Sequence, residues 1–339
     1  MKKKGKKIGI LGLILIDIIV AGCFFLTYGP VSFFRDFLVT TAMTSMTHKY
    51  LARTFYSEKM IQKVLSQNTI EMTESSTDTS KIIIGGETDG YASVYEKEIL
   101  DHKKNEDYKL IEFEYNGYDC YLVAIYDPSR VSIAQTSYLG VQGEVLRNIA
   151  KKNNAKVAIN AGGFVDPNGE GNGGTPMGPV IQNSKIAWGN ENDSFEMVGF
   201  NKDNILVLKR TTVGEAIKDG IRDAVNFGPY LIVNGVSAKI NGNGGWGINP
   251  RTAIAQRKDG IVLFLVIDGN GQNRYNWSGR GGVTLSELIE ILERYGAYNA
   301  ANMDGGASTN LVINNELYNN PCAISETGER WLPNGWIMK

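Results

Sequence analysis

From Lys109 onward the chain breaks into short runs of β-branched and aromatic residues, each closed by polar residues flanked with glycine. That punctuation confines this part of the chain to a strand-rich fold, because each run is one strand long and each closure is one turn. Residues 110–115 and 120–126 flank Asn116-Gly117, the signature of a tight hairpin. Residues 156–160 read as a buried strand, preceded by a helix through Val145, Leu146 and Ile149. Further strands are expected at 196–200, 204–208, 230–233, 252–256, 261–267, 298–303 and 309–313. Thr284 opens a helix, with Glu287 completing a capping box and Leu285, Leu288, Ile289 and Leu292 forming its apolar face. The fold class this predicts is α/β, a mixed α+β globular domain over 105–339. The 39 glycines show no G-x-y period, which excludes collagen, and an apolar share of 42% suffices for a sizeable core.

The first 104 residues differ in kind. Five lysines precede an apolar run over 8–28 interrupted by Asp17. At about 1.5 Å per residue it matches a bilayer core of about 30 Å, so one transmembrane helix is expected, with residues 1–29 forming a cytoplasmic lysine cluster and anchor. The C-terminal domain would then be extracellular on a single-pass cell-membrane protein. Val20-Ala21-Gly22-Cys23 also resembles a lipoprotein cleavage box, which would anchor the chain through Cys23 instead. Apolar residues at near-helical spacing predict a helical stalk over 30–73, and polar residues 74–80 open a linker over 74–104. The bulk of the chain beyond residue 30 carries a net charge of −5, so it lacks the cationic footprint of a nucleic-acid binder. Cys120 and Cys322 leave two states open, one bridge or two free thiols.

The chemistry is constrained by an absence. His48 and His102 are the two histidines, and neither falls within 105–339. A Ser-His-Asp or Cys-His nucleophile system is therefore excluded there, as are histidine-based zinc sites, and proton transfer falls to carboxylates and other groups. Polar residues with glycine neighbours follow apolar strands at Asn160-Ala161-Gly162-Gly163-Phe164, Gly228-Pro229, Arg251-Thr252, Asp268-Gly269 and Met303-Asp304-Gly305-Gly306-Ala307-Ser308. Such turns let backbone approach a ligand closely. Asp304 stands out, since its turn combines a carboxylate, free N–H groups and the Ser308 hydroxyl. For Asp268 alone, turn chemistry is the plainer reading. Trp188, Trp246, Tyr275 and Trp277 lie in polar stretches and offer stacking surfaces for a sugar, and 241–247 has the composition of a lid. Asp166, Asn168, Glu170 and Asn172 offer alternating oxygen donors suited to a calcium-like divalent metal, though without the EF-hand pattern, and a solvated turn is the plainer reading. No cofactor is required by the residues present, and the metal question stays open.

Taken in order, Asn160 to Phe164, Gly228-Pro229 with Asn234-Gly235, Arg251-Thr252-Ala253-Ile254, Asp268-Gly269, the capped helix at Thr284 and Asn302 to Ser308 resemble the phosphodiester glycosidase family. The resemblance covers about 150–339 and extends towards 105. Ala161 and Ala307 depart from the family pattern, each standing where glycine is usual. The resemblance implies hydrolysis of a sugar-1-phosphodiester at the anomeric carbon by an enzyme of the cell envelope, with glycan or sugar phosphate as partner. Under it, Asp304 is the candidate base or nucleophile, Asp268 its partner or a metal ligand, and Arg251 the phosphate ligand. Asn160, Thr252, Ser308 and the amides of Gly162, Gly163, Gly305 and Gly306 bind substrate. A phosphomonoester is a weakly basic leaving group, so this chemistry needs no strong acid. The rival expectation is a non-catalytic envelope module that binds phosphorylated glycan with the same residues.

Overall fold

The computed structural model describes residues 2–30, 32–44, 49–72, 74–86, 90–167, 171–271, 281–323 and 325–339. They form two compact units, one of Met1–Thr69 with Asn241–Gly247, the other of Ile70–Ile240 with Ile248–Lys339.

In the first unit, the amphipathic segment expected as one stalk helix is three helices, Ser32–Thr44, Lys49–Phe55 and Glu58–Gln67. Ser57 ends the continuity, because its hydroxyl accepts the Met60 N–H and caps a new helix. Val39, Ala42, Ala52, Tyr56, Ile61 and Val64 share a small core. The glycine-rich loop expected as a lid is tied down within this unit. The Asn243 N–H donates to Asn68 Oδ1 at 2.9 Å and its side-chain amide to Thr40 Oγ1 at 2.6 Å.

The expected transmembrane helix is overturned, since among the described residues no helix is long and apolar enough to cross a membrane. A helix does form over Lys2–Tyr28. Asp17 lies within its apolar stretch. The single-pass placement, with the C-terminal domain extracellular, rested on that span and falls with it.

The second unit is mixed α/β. A seven-stranded sheet runs in the order Val236–Ser237, Tyr230–Val233, Ala297–Asn302, Arg251–Arg257, Val262–Ile267, Tyr118–Ile125, Tyr108–Tyr115. A five-stranded sheet is ordered Glu316–Leu317, Leu311–Ile313, Val157–Asn160, Asn334–Met338, Val131–Gln135. Another is ordered Lys185–Trp188, Val180–Gln182, Ile221–Asn226, Ser194–Asn201, Leu206–Thr212. All three send side chains into one core, among them Phe264, Ile254 and Val123 from the first, Ile159, Leu311 and Trp336 from the second, and Phe200, Val198 and Leu208 from the third. Helices Leu146–Lys152 and Val213–Lys218 each cover the outer face of one five-stranded sheet. Helix Leu285–Arg294 packs on the seven-stranded sheet. Strands covered on both faces read as continuous apolar runs, which is why Val262–Ile267 is buried throughout.

Local signals act as expected at two points. Asn116 and Gly117 both adopt positive φ, 52° and 82°, the geometry a two-residue hairpin turn requires. Thr284 and Glu287 form the reciprocal capping box. The polar segment after residue 74 is not free. Thr77 N–H donates to the Leu208 carbonyl at 3.1 Å and Thr77 Oγ1 accepts the Leu208 N–H at 3.0 Å.

Candidate active site

The site is built where strand Val157–Asn160 ends beside the turn that follows strand Ala297–Asn302. Asp304 N–H donates to the Ala161 carbonyl at 3.0 Å, and the Asn160 side-chain amide donates back to the Asp304 carbonyl. Asn160 Oδ1 accepts from the Thr252 hydroxyl at 2.7 Å and from Asn310 N–H at 3.0 Å. One buried amide thus joins three chain segments. Met303 N–H donates to the Thr252 carbonyl at 2.8 Å, and Gly306 N–H to the Pro250 carbonyl at 2.9 Å. This close approach explains Gly305, since a Cβ there would lie 2.8 Å from the Pro250 carbonyl oxygen. Neither Ala161 nor Ala307 adopts positive φ, so the two departures from glycine fit ordinary backbone.

Asp304 is partly buried. Burial pushes its carboxyl up to about 6, against the lowering pull of the Ser308 hydroxyl, the Arg330 charge and the Gly305 N–H. Asp166 raises it slightly further. The Gly162 N–H donates to Asn334 Oδ1 at 2.9 Å. Of the four glycine amides expected to bind substrate, those of Gly162 and Gly306 therefore already have protein acceptors, and that of Gly305 serves Asp304. Gly163 faces Phe227, whose ring edge would lie 3.1 Å from a Cβ at that position. The Gly228 carbonyl accepts from the Asn302 side chain at 3.2 Å and the Pro229 carbonyl from Asn302 N–H at 3.0 Å, bringing that loop to the same turn.

Buried polar atoms without a partner gather here: Asn302 Oδ1, Thr309 Oγ1, Asn310 Oδ1 and Asn334 Nδ2. In folded proteins such atoms are few and mark strained or functional places.

Arg251 and Asp268 stand apart from this clasp in what their side chains hold. Arg251 is 2% exposed, donates from Nε to the Val283 carbonyl at 3.1 Å, and is lowered to about 10 by burial, with Glu287 opposing. Thr252, the next residue, points to the other face of the strand, towards Asn160. Asp268 is buried. Its oxygens accept from Asn319 Nδ2 and from Asn320 N–H, each at 2.7 Å, and burial raises its carboxyl. Asn319 also donates to the Thr309 carbonyl at 3.2 Å, so Asp268 reaches the Asp304 turn through one intermediary.

Arg330 is the residue here to which the sequence did not point, and it meets Asp166 and Phe164, to which it did. Arg330 Nη2 donates to Asp166 Oδ2 at 2.5 Å, and its guanidinium lies 4.5 Å from the Phe164 ring centroid. Asp166 Oδ1 accepts Gly171 N–H at 2.6 Å. Asp166 is thus held in an ion pair, and among the described residues no cluster of three metal-ligating side chains occurs. Asn168, Glu170, Tyr275 and Trp277 lie outside the described residues. Trp188 is half-buried beside Gly140, and Trp246 belongs to the other unit. Cys120 and Cys322 are buried free thiols, with Cys120 pushed up to about 12 by burial.

Comparison with known proteins adds an independent line. The chain is 27% identical over 211 residues to the SPbeta prophage-derived protein YomE of Bacillus subtilis (strain 168), which is 60% of this chain and 31% of that one. It is 34% identical over 74 residues to the N-acetylglucosamine-1-phosphodiester alpha-N-acetylglucosaminidase of Bos taurus, 22% of this chain and 13% of the relative. The chain thus spans less than a third of the length of these relatives. The catalytic domain of the zebrafish N-acetylglucosamine-1-phosphodiester alpha-N-acetylglucosaminidase, auto-inhibited by its pro-peptide, has the same fold. Its TM-score is 0.55 at 18% identity, covering 71% of this chain and 86% of that domain. The profile of the phosphodiester glycosidase family matches residues 153–339, more than half of the chain, and the chain belongs to that family.

Proposed function

We infer that this chain hydrolyses a sugar-1-phosphodiester, with an N-acetylglucosamine-like sugar, at the anomeric carbon. Family membership supports the reaction class. The observation that carries the reading is Asp304, a carboxyl raised to about 6 on a turn fixed by Asn160, Thr252 and Gly305. Above that pH it is ionised and able to act at the anomeric carbon, either taking a proton from the attacking water or adding to the carbon itself. In either course the carbon–oxygen bond to phosphate breaks, the electron pair leaves with the phosphomonoester, and water supplies the new anomeric hydroxyl. Arg251 and Asp268 belong to the framework of the site in this reading, with Gly162, Gly163, Gly306 and Ser308 shaping the pocket. Phosphate-linked sugars of a wall polymer or exopolysaccharide are the substrate pool that goes with it.

The test is incubation of the full chain with UDP-N-acetylglucosamine and with the methyl ester of N-acetylglucosamine 1-phosphate. Free sugar should appear with the native chain and not with Asp304→Asn. Binding without release would leave the chain as a glycan-binding module. Proton NMR of the first-formed anomer then separates retention from inversion.

A further inference from the structure

Two arginines lie near the Asp304 turn, and they differ in what they can touch. The Arg251 side chain is enclosed and bonded to the Val283 carbonyl. Arg330 keeps 23% of its side chain exposed. Among the described residues its one hydrogen bond is from Nη2 to Asp166, which leaves the other donors of its guanidinium for a ligand. Two contacts hold it: Asp166, itself bound by Gly171 N–H, accepts from one end, and the Phe164 ring centroid lies 4.5 Å from its central carbon. Phe164 ends the same loop whose Ala161 carbonyl receives the Asp304 N–H. Two residues, Gly162 and Gly163, separate those points, at most about 11 Å of chain. A partly exposed guanidinium held by a carboxylate and an aromatic ring is preorganised to bond phosphate oxygens.

Resting on the reading above, we propose that Arg330 is the phosphate-binding cation of this site. It receives the phosphodiester anion of the substrate, with Asp166 and Phe164 as its positioning residues. The arrangement gives the two ends of the scissile bond separate owners, Asp304 at the anomeric carbon and Arg330 at the leaving phosphate. The Arg330 charge already acts on the Asp304 carboxyl, which it pulls down against burial. Once the bond breaks, the leaving oxygen gains charge, and a fixed cation beside it stabilises that step.

The experiment uses the full chain with the methyl ester of N-acetylglucosamine 1-phosphate as substrate and inorganic phosphate as competitor and calorimetric ligand. Arg330→Lys should raise KM and the inhibition constant for phosphate about tenfold while kcat moves less, and Arg330→Gln should abolish phosphate binding. Melting temperatures of both variants measure the cost of the lost Asp166 pair separately, which a merely structural role would change without changing phosphate affinity in Arg330→Lys. Phosphate bound equally by Arg330→Gln and the native chain overturns the proposal, as does loss of binding in Arg251→Gln with Arg330→Gln unaffected. If the native chain binds phosphate through Arg330 yet releases no sugar, the hydrolytic reading fails and the anion site stands. If it binds no phosphate, the site falls as well.

Discussion

Thr252 and Asn160, on strands of two different sheets, meet through a 2.7 Å hydrogen bond from hydroxyl to amide oxygen at the floor of the candidate site. The same oxygen takes the Asn310 N–H, and the same amide nitrogen holds the Asp304 carbonyl. The position of the Asp304 turn is therefore set by a junction between sheets and not by the turn itself.

Removing part of that junction should be measurable as stability. Thr252→Val leaves Asn160 Oδ1 with one donor and is expected to cost about 1–2 kcal/mol. Asn160→Ala strands the Thr252 hydroxyl and the Asn310 N–H and should cost about 2–4 kcal/mol. Denaturant unfolding of both variants, compared at equal slope, checks the order.

Asp304→Asn should lower sugar release by about a thousandfold or more, yet stabilise the fold at neutral pH. The sign follows from the raised carboxyl. A folded value of about 6 above an unfolded value of 3.8 means the charged form is disfavoured in the native state, so stability is full below the unfolded value and declines as pH rises through about 6. Asparagine removes that decline, worth about 1–3 kcal/mol at pH 8 and close to nothing near pH 4. Melting temperatures of the two proteins across that range should diverge upward with pH, and native turnover should fall as pH drops through about 6.

Gly305→Ala places a methyl 2.8 Å from the Pro250 carbonyl oxygen, a backbone atom that cannot rotate away. The expected result is a folded protein destabilised by about 1–3 kcal/mol, with kcat reduced about tenfold or more because the turn carrying Asp304 shifts. Retained kcat would mean that the turn tolerates displacement.

Thiol chemistry separates the three cysteines. Cys23 is exposed, whereas Cys120 and Cys322 are buried and unbridged. One equivalent of a maleimide should react quickly with the native protein, at Cys23, and three after unfolding. Dithiothreitol should leave the melting temperature unchanged, whereas a fall of several degrees would signal a bridge.

Much of the fold was legible because strands covered on both sides are apolar throughout, as in Val262–Ile267, and because Asn116-Gly117 and Thr284-Glu287 act through their own chemistry. Other elements carry weaker signals. Strand Ile221–Asn226 contains Arg222 and Asp223, which pair with each other, and strand Asn334–Met338 opens on Asn334-Gly335 directly after a proline. Both look like turns in one dimension. At the site, Asn160, Thr252 and Asp304 could be found because each closes or opens an apolar run. Arg330 could not, because it lies in the polar stretch Glu329-Arg330-Trp331 and its acid, Asp166, is 164 positions away.

Strand Asn334–Met338 lies between Val131–Gln135 and Val157–Asn160, both made far earlier in synthesis. Until residue 338 has left the ribosome, those two strands have no neighbour on their inner sides, and the end of one of them carries Asn160. These two edges are therefore closed late, since an unpaired strand edge stays open to other partners until its neighbour is made.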